Sequence, residues 1–331
     1  MSLKYALKKI GVSLLTVLAV IILTFIVLRL MPGDIYDQMA RSEAAQSGIS
    51  FEEARERLVL RFNYDPNEPI YQQLVRYLKG LTRGDLGVSM INPKNTVTAI
   101  LANALPWTLF SVSIALVISF LIGVQLGAVM AVKRKGFING LITFYVTIVS
   151  TIPSYVIAIF LSIIFVFYLG WFPMSGVHSL NVNPGFNLPF IGSALWYAVM
   201  PIATYVISTT GAWILQMKGT SIATLGSDYV FAARARGLTD QTIMRRYMKR
   251  NAMIPLVTTL AMSFGGMIGG STLIEGQFRY LGMGTYLSKA LGERDFILYQ
   301  GLLIYISISV IIANLIADLL YAKLDPRVRM E

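Results

Sequence analysis

Residues Ile10–Met31 form an apolar run of about 20 residues, interrupted only by Arg29 near its end, long enough to cross a bilayer as a helix. Five further stretches reach the same length, approximately Leu105–Val132, Ile138–Tyr168, Ser193–Met217, Ala252–Ile274 and Phe296–Leu320. A helix of that length satisfies its own backbone hydrogen bonds inside hydrocarbon, which few other conformations can do. The third long run carries Pro153, which predicts a kink or break there. Composition agrees: 14% of the residues are charged, against roughly 25% in soluble domains, and the mean hydropathy is +0.64. The first run follows Lys4, Lys8 and Lys9 as a signal peptide would. It exceeds the roughly 7–15 residues of a signal core, and no small-x-small cleavage site follows, so it reads as a retained helix.

The basic residues set an orientation. The sequence has 28 Lys+Arg against 17 Asp+Glu, net +11, a balance that in a soluble chain would raise nucleic acid as a partner. Here the positive charges gather in alternate segments: Lys4, Lys8 and Lys9; Lys133, Arg134 and Lys135; the stretch 218–250; and Lys323, Arg327 and Arg329. The segment 32–104 balances eight basic against nine acidic residues, 169–192 has neither, and 275–295 has three of each. Positive residues stay on the cytoplasmic side, so six spans with both termini cytoplasmic satisfy the pattern. The fold class expected is an all-α integral membrane protein of about six transmembrane helices. Residues 1–31 supply the N-terminal cytoplasmic end and first helix, 32–104 an extracytoplasmic segment, and 105–331 a five-helix core with a cytoplasmic loop at 218–251.

The outer segment is long and polar enough to fold. Ser50 and Glu53 have capping-box spacing, and Phe51, Ala54, Leu58 and Phe62 then share a helix face. A second helix is predicted from about Pro69, aligning Ile70, Leu74, Tyr77, Leu78 and Leu81 and stopping at Gly80 or Gly84. A small helical subdomain is therefore expected between the first two spans.

Several chemistries are missing. The chain has no cysteine, which removes disulfides, thiolate catalysis and cysteine metal sites. Its one histidine, His178, reads as an exposed loop residue. No Gly-Lys pair occurs, hence no phosphate-cradling G-x-x-x-x-G-K-[ST] loop, and neither H-E-x-x-H nor G-x-S-x-G is present. No span holds an ionisable residue near its middle, as ion-coupled transporters usually do; Arg29 and Asp318 lie near span ends. A stand-alone channel or secondary transporter stays open as an alternative, because backbone carbonyls can also bind sodium. If substrate moves uphill otherwise, another chain supplies the energy.

The cytoplasmic stretch after the fourth run carries the most information. Ser227 or Asp228 can cap a short helix, Gly237 can end it in a left-handed cap, and Thr239 or Asp240 can start the next, running to about Asn251 before Pro255 opens the fifth span. Tyr229, Ala232, Ala233 and Arg236 fall on one face of the first helix, a smooth knob able to enter a groove. An ordinary positive-inside loop has the same composition.

The run YVFAARARGLTDQTIMRRYMKRNAMIP, residues 229–255, closely resembles the ATPase-docking loop of binding-protein-dependent ABC importer permeases. Ala232, Ala233 and Gly237 match the family's Ala-Ala and Gly, Phe231 stands where that motif has Glu, and Pro255 comes later than in the sugar-importer branch. The form of residues 233–238 is similar to the oligopeptide/dipeptide/nickel branch. In the same order come LRLMPGD (28–34), GDLGVS (84–89), LPWTL (105–109), STIPSY (150–155) and IEGQFRYLGMGTYLSKALGERD (274–295). The resemblance implies a channel-forming, non-enzymatic subunit in the cell membrane, moving peptides or, in relatives, nickel chelates or oligosaccharides. It implies as partners a second homologous permease, two cytoplasmic ATP-binding subunits carrying ATP and Mg, and an extracytoplasmic substrate-binding protein. It implies no cofactor in this chain and no nucleic acid. The coupling residues it marks are Tyr229, Ala232, Ala233, Arg234, Ala235, Arg236, Gly237 and Leu238.

The translocation pathway is read from weaker signs. Gly265, Gly266, Gly269 and Gly270 form small-xxx-small pairs, as do Gly123 and Gly127; such spacing suits close helix packing as well as a gated lumen. Ser150, Pro153 and Ser154 mark the expected break. Glu275, at the outer end of the fifth run, fits an external gate or an exposed interfacial carboxylate.

Overall fold

The computed structural model describes residues 3–29, 35–62, 68–90, 92, 94–133, 135–267 and 272–324. Among them the chain is helical, with one isolated bridge between Val88 and Thr96. The order is α1 (Leu3–Arg29), α2 (Ile35–Ser47), α3 (Phe51–Phe62), α4 (Ile70–Leu81), α5 (Val97–Val132), α6 (Phe137–Thr151) and α7 (Ser154–Leu161), the last prolonged by a π-helical turn to Tyr168. Then follow α8 (Leu188–Leu225), α9 (Asp228–Ala235), α10 (Asp240–Thr242), α11 (Arg250–Met267), α12 (Thr272–Gln277), α13 (Met283–Gly292) and α14 (Phe296–Leu324).

Four of these are long and apolar enough to cross a membrane: Leu7–Leu28 within α1, α5, α8, and Phe296–Ala317 within α14. The pair α6 and α7 makes a fifth if counted as one broken span, bent by 104°. The bend sits at Pro153, as the sequence predicts. Ile152 is extended (φ −89°, ψ 124°) because the ring of a following proline disfavours helical backbone. The run expected as a further span, Ala252–Ile274, divides into α11 and α12, with residues 268–271 outside the described set. The described α11 has 18 residues and starts on Arg250 and Asn251, so its apolar length is short.

The helix expected to stop near Asn251 does not stop. From α10 the backbone continues through a π-helical segment, Ile243–Lys249, directly into α11, and Pro255 lies inside that helix. Unbroken helix keeps backbone groups paired where water is scarce, and proline is tolerated within spans for related reasons.

The chain divides into two compact units. The larger comprises Leu105–Thr285 with flanking pieces of α1 and α14. Here α5 meets α8 at two glycines. A Cβ on Gly123 would run into Trp213, and one on Gly127 would lie 2.5 Å from the Ile214 carbonyl oxygen and 2.7 Å from Met217 Cβ. The indole of Trp213 then stacks edge-on against Phe120, centroids 5.2 Å apart, within a core that includes Met217, Met248 and Leu256. Val149 on α6 closes over Gly211 of α8 in the same manner. His178, expected as an exposed loop residue, is partly buried: its ring lies 5.1 Å from that of Phe190 and 5.9 Å from that of Trp107. Trp107 and Phe190, whose own rings are 6.2 Å apart, form with the imidazole a three-ring cluster that gives it apolar surface to cover.

The second unit comprises Leu14–Ala104 with Tyr286–Ile308. Ala40, Ala54 and Leu58 form the core of an α2–α3 hairpin, and the Ser50 hydroxyl accepts the Glu53 amide at 3.1 Å. This fulfils half of the predicted capping box. The α4 helix lies where predicted, and Tyr77 stacks on Phe25 of α1 at 5.7 Å. The GDLGVS segment meets the start of α14. Ser89 Oγ donates to the buried Asp295 carboxylate at 2.5 Å, whose other oxygen caps α14 by accepting the Leu298 amide at 3.0 Å.

Candidate functional site

The stretch between α8 and α11 folds as the spacing predicts at its corners. Ser227 occupies the N-cap position of α9 in extended backbone, but its hydroxyl donates to the Thr224 carbonyl and makes no cap bond; Gly237 takes φ +76°, and Thr239 caps α10 by accepting the Thr242 amide. A left-handed φ strains any residue with a Cβ, so glycine suits the position after α9.

The inner face of α9 differs from the predicted one. Val230 and Ala233 are buried with Ile243 in a small core completed by Leu225, Leu238 and Tyr247. Ala233 is therefore an inward residue, 3% exposed, and not part of an outer knob. The outer face presents Tyr229, Phe231, Ala232, Arg234, Ala235 and Arg236. Two residues separate α8 from α9, and the π-helical segment touching α9 continues without a break into α11. The core beneath α9 is thus joined to α8 and α11 by short or unbroken chain. Lys249, in that segment, donates to Gln125 Oε1 of α5 at 2.7 Å, tying in a third.

Of the predicted pathway residues, the structure places Ser150 and Pro153 on exposed surface and Ser154 half-buried beside them. Gly265 packs against α14: a Cβ there would meet that of Ala313. Gly266, one residue on, has open space. Gly269 and Gly270 lie outside the described residues. Glu275 is fully buried, so it is no exposed interfacial carboxylate. Thr108 Oγ1 of α5 donates to one of its oxygens at 2.8 Å and the Gly284 amide to the other at 2.8 Å. Thr108 in turn accepts the Met283 amide at 2.8 Å. A Cβ on Gly282 would collide with both the carboxylate and the threonine hydroxyl, which gives the LGMG sequence its reason. Thr108 lies within the LPWTL segment, but its pairing with Glu275, 167 positions away, has no signal in either segment.

Three successive hydroxyls of α8 are engaged within their own helix. Ser208, Thr209 and Thr210 each donate to a carbonyl four residues back, a bond that satisfies the group without a partner helix.

Comparison with known proteins fits this construction. Residues 123–330 match the family described as binding-protein-dependent transport system inner membrane component. A Brucella suis protein named as a candidate peptide permease is 30% identical over 99% of both chains. An oligopeptide transport system permease protein of Haemophilus influenzae is 29% identical over 99% of both. A glutathione transport system permease protein of Salmonella paratyphi A is 29% identical, again over 99% of both. The chain belongs to the inner membrane component family of binding-protein-dependent transport systems.

Proposed function

We propose that this chain forms the membrane pathway of an ATP-driven peptide importer and is worked from the cytosolic side through the outer face of α9. The observation that carries the reading is the build of α9, an exposed face seated on its own small core and joined to α8 and α11. Family membership makes it a transport subunit and not an enzyme, and implies ATPase partners and a substrate-binding protein. Within that scheme the fold has six spans with both termini cytoplasmic, a helical extracytoplasmic subdomain between the first two, and α11 with its continuation as the fifth. A second related permease completes the pathway, two ATPases binding ATP and Mg dock beneath it, and the binding protein delivers cargo from outside. Relatives of equal identity are named for oligopeptides and for glutathione, so the cargo class is peptide. Ser150, Pro153, Ser154 and Gly266 contribute to the pathway at the broken span and α11, while Glu275 holds the outer end of that helix in register. Gly269 and Gly270 belong to the same set by sequence.

The docking role is tested by Ala232→Glu, which puts a bulky charge on the outer face without touching the core beneath. ATP-driven uptake by the assembled transporter should fall at least about tenfold, equivalent to about 1.4 kcal/mol of lost coupling, with membrane insertion unchanged. Full uptake in Ala232→Glu, or concentrative uptake by the purified chain without ATPase subunits, contradicts the reading.

A further inference from the structure

Where α5 ends and α6 begins, the chain forms a pocket of about 240 Å³ lined mainly by Val129, Met130, Lys133, Lys135, Phe137 and Ile138. The lining surface is almost wholly apolar; Lys133 and Lys135 are both among its residues, both exposed, and no carboxylate is. Among the described residues neither lysine is paired with an acidic side chain. The rim is apolar and open: Phe137 is 86% exposed and Ile138 55%. The pocket sits at the end of α5, which is long and apolar enough to cross a membrane, and at the start of α6, the first half of the broken span; in the six-span scheme proposed above this is the level of the lipid headgroups.

We propose that this pocket binds the headgroup of an anionic phospholipid. The chemistry divides between its two parts. Lysine stems lie along apolar surface while their ammonium groups reach a polar layer, so Lys133 and Lys135 can take the phosphodiester oxygens. Phe137 and Ile138 then cover the upper acyl chain. The volume is below the roughly 300–1,000 Å³ of sites that engulf a whole small ligand, which suits a headgroup whose chains stay outside. A free phosphate would use the lysines but leave the apolar rim in water. A zwitterionic lipid would bring its own cation toward two others, and basic pockets between spanning helices favour anionic headgroups. The assignment is independent of the cargo and of the coupling role of α9, which involve other residues.

The test uses the full chain in vesicles of phosphatidylglycerol or phosphatidylcholine, with retained lipid counted by native mass spectrometry after gentle detergent extraction. Phosphatidylglycerol should be retained on the order of tenfold better than phosphatidylcholine. The Lys133→Ala/Lys135→Ala double variant should lose that preference, and the Lys133→Arg/Lys135→Arg variant should keep it. Independently of any variant, a photoreactive phosphatidylglycerol should label the wild-type peptide spanning residues 129–139. Equal retention of the two lipids, an unchanged preference in the double alanine variant, or labelling confined to other segments overturns the proposal. Release of the lipid by millimolar inorganic phosphate would also overturn it, in favour of a free-anion site.

Discussion

A buried carboxylate is expensive unless its oxygens are met, and the surroundings of Glu275 meet them with the Thr108 hydroxyl and the Gly284 amide. Thr108→Val keeps the side-chain shape but strips a donor from the carboxylate and an acceptor from the Met283 amide. It should destabilise the protein by about 1–3 kcal/mol, read as a lowered unfolding midpoint of the detergent-solubilised chain, and Thr108→Ser should restore most of the loss. Gly282→Ala should be worse than Gly292→Ala, because the first methyl collides with the carboxylate while the second meets nothing within 4 Å. The sequence showed Glu275 as an unusual residue at the end of an apolar run, yet left open whether it faced water. The answer depends on a threonine in another helix, and pairing across that distance is not written in any local pattern. Ala233 carries the same lesson on a shorter range. Period alone put it beside Tyr229 and Ala232, but Ile243, a turn of chain further on, decides which side of α9 is inside.

At the scale of helices, the glycines separate by what faces them. Gly127 abuts the backbone of α8 and Gly265 abuts Ala313 of α14, whereas Gly266 faces open space. Gly127→Val and Gly265→Leu should therefore impair folding or assembly, seen as aggregation in size-exclusion chromatography. Gly266→Ala should leave the elution profile of the wild type. Small-residue spacing announced all of these positions without ranking them, since the pattern says that close approach is possible and not which glycine makes it. Other elements were legible to within a residue or two. The break at Pro153 follows from one ring, α4 from its apolar face after Pro69, and α9 from a cap residue and a glycine. The helix α2 has no comparable signal in the sequence. Its apolar residues are Ile35, Tyr36, Met39 and the small Ala40, Ala44 and Ala45, and its inward face needs α3 as a partner before the period becomes visible. The unbroken path from α10 into α11 was missed because Pro255 and a cluster of basic residues read as a boundary, and helical continuity overrides both.

In the molecule as a whole, segments far apart in sequence are drawn together by buried polar groups. Ser89 of the segment 32–104 and Asp295 at the head of α14 make one such clasp, and two recognisable motifs thereby turn out to be a single structural feature. The family, the helical class and the lack of a motor were all readable from one chain; orientation and partners rest on charge asymmetry and on kinship. In the proposed mechanism a separate ATPase grips the exposed face of α9 from the cytosol. Because the chain has no cysteine, Ala232→Cys gives one unique thiol on that face. The most direct measurement is a short bifunctional cross-link from this thiol in membranes containing the assembled transporter, together with its labelling by a membrane-impermeant maleimide in intact cells. Docking of the ATPase on this face gives an adduct with the ATPase subunit and no labelling until the membrane is opened. Labelling of intact cells from outside, or no ATPase adduct in an assembly that still imports peptide, would contradict it.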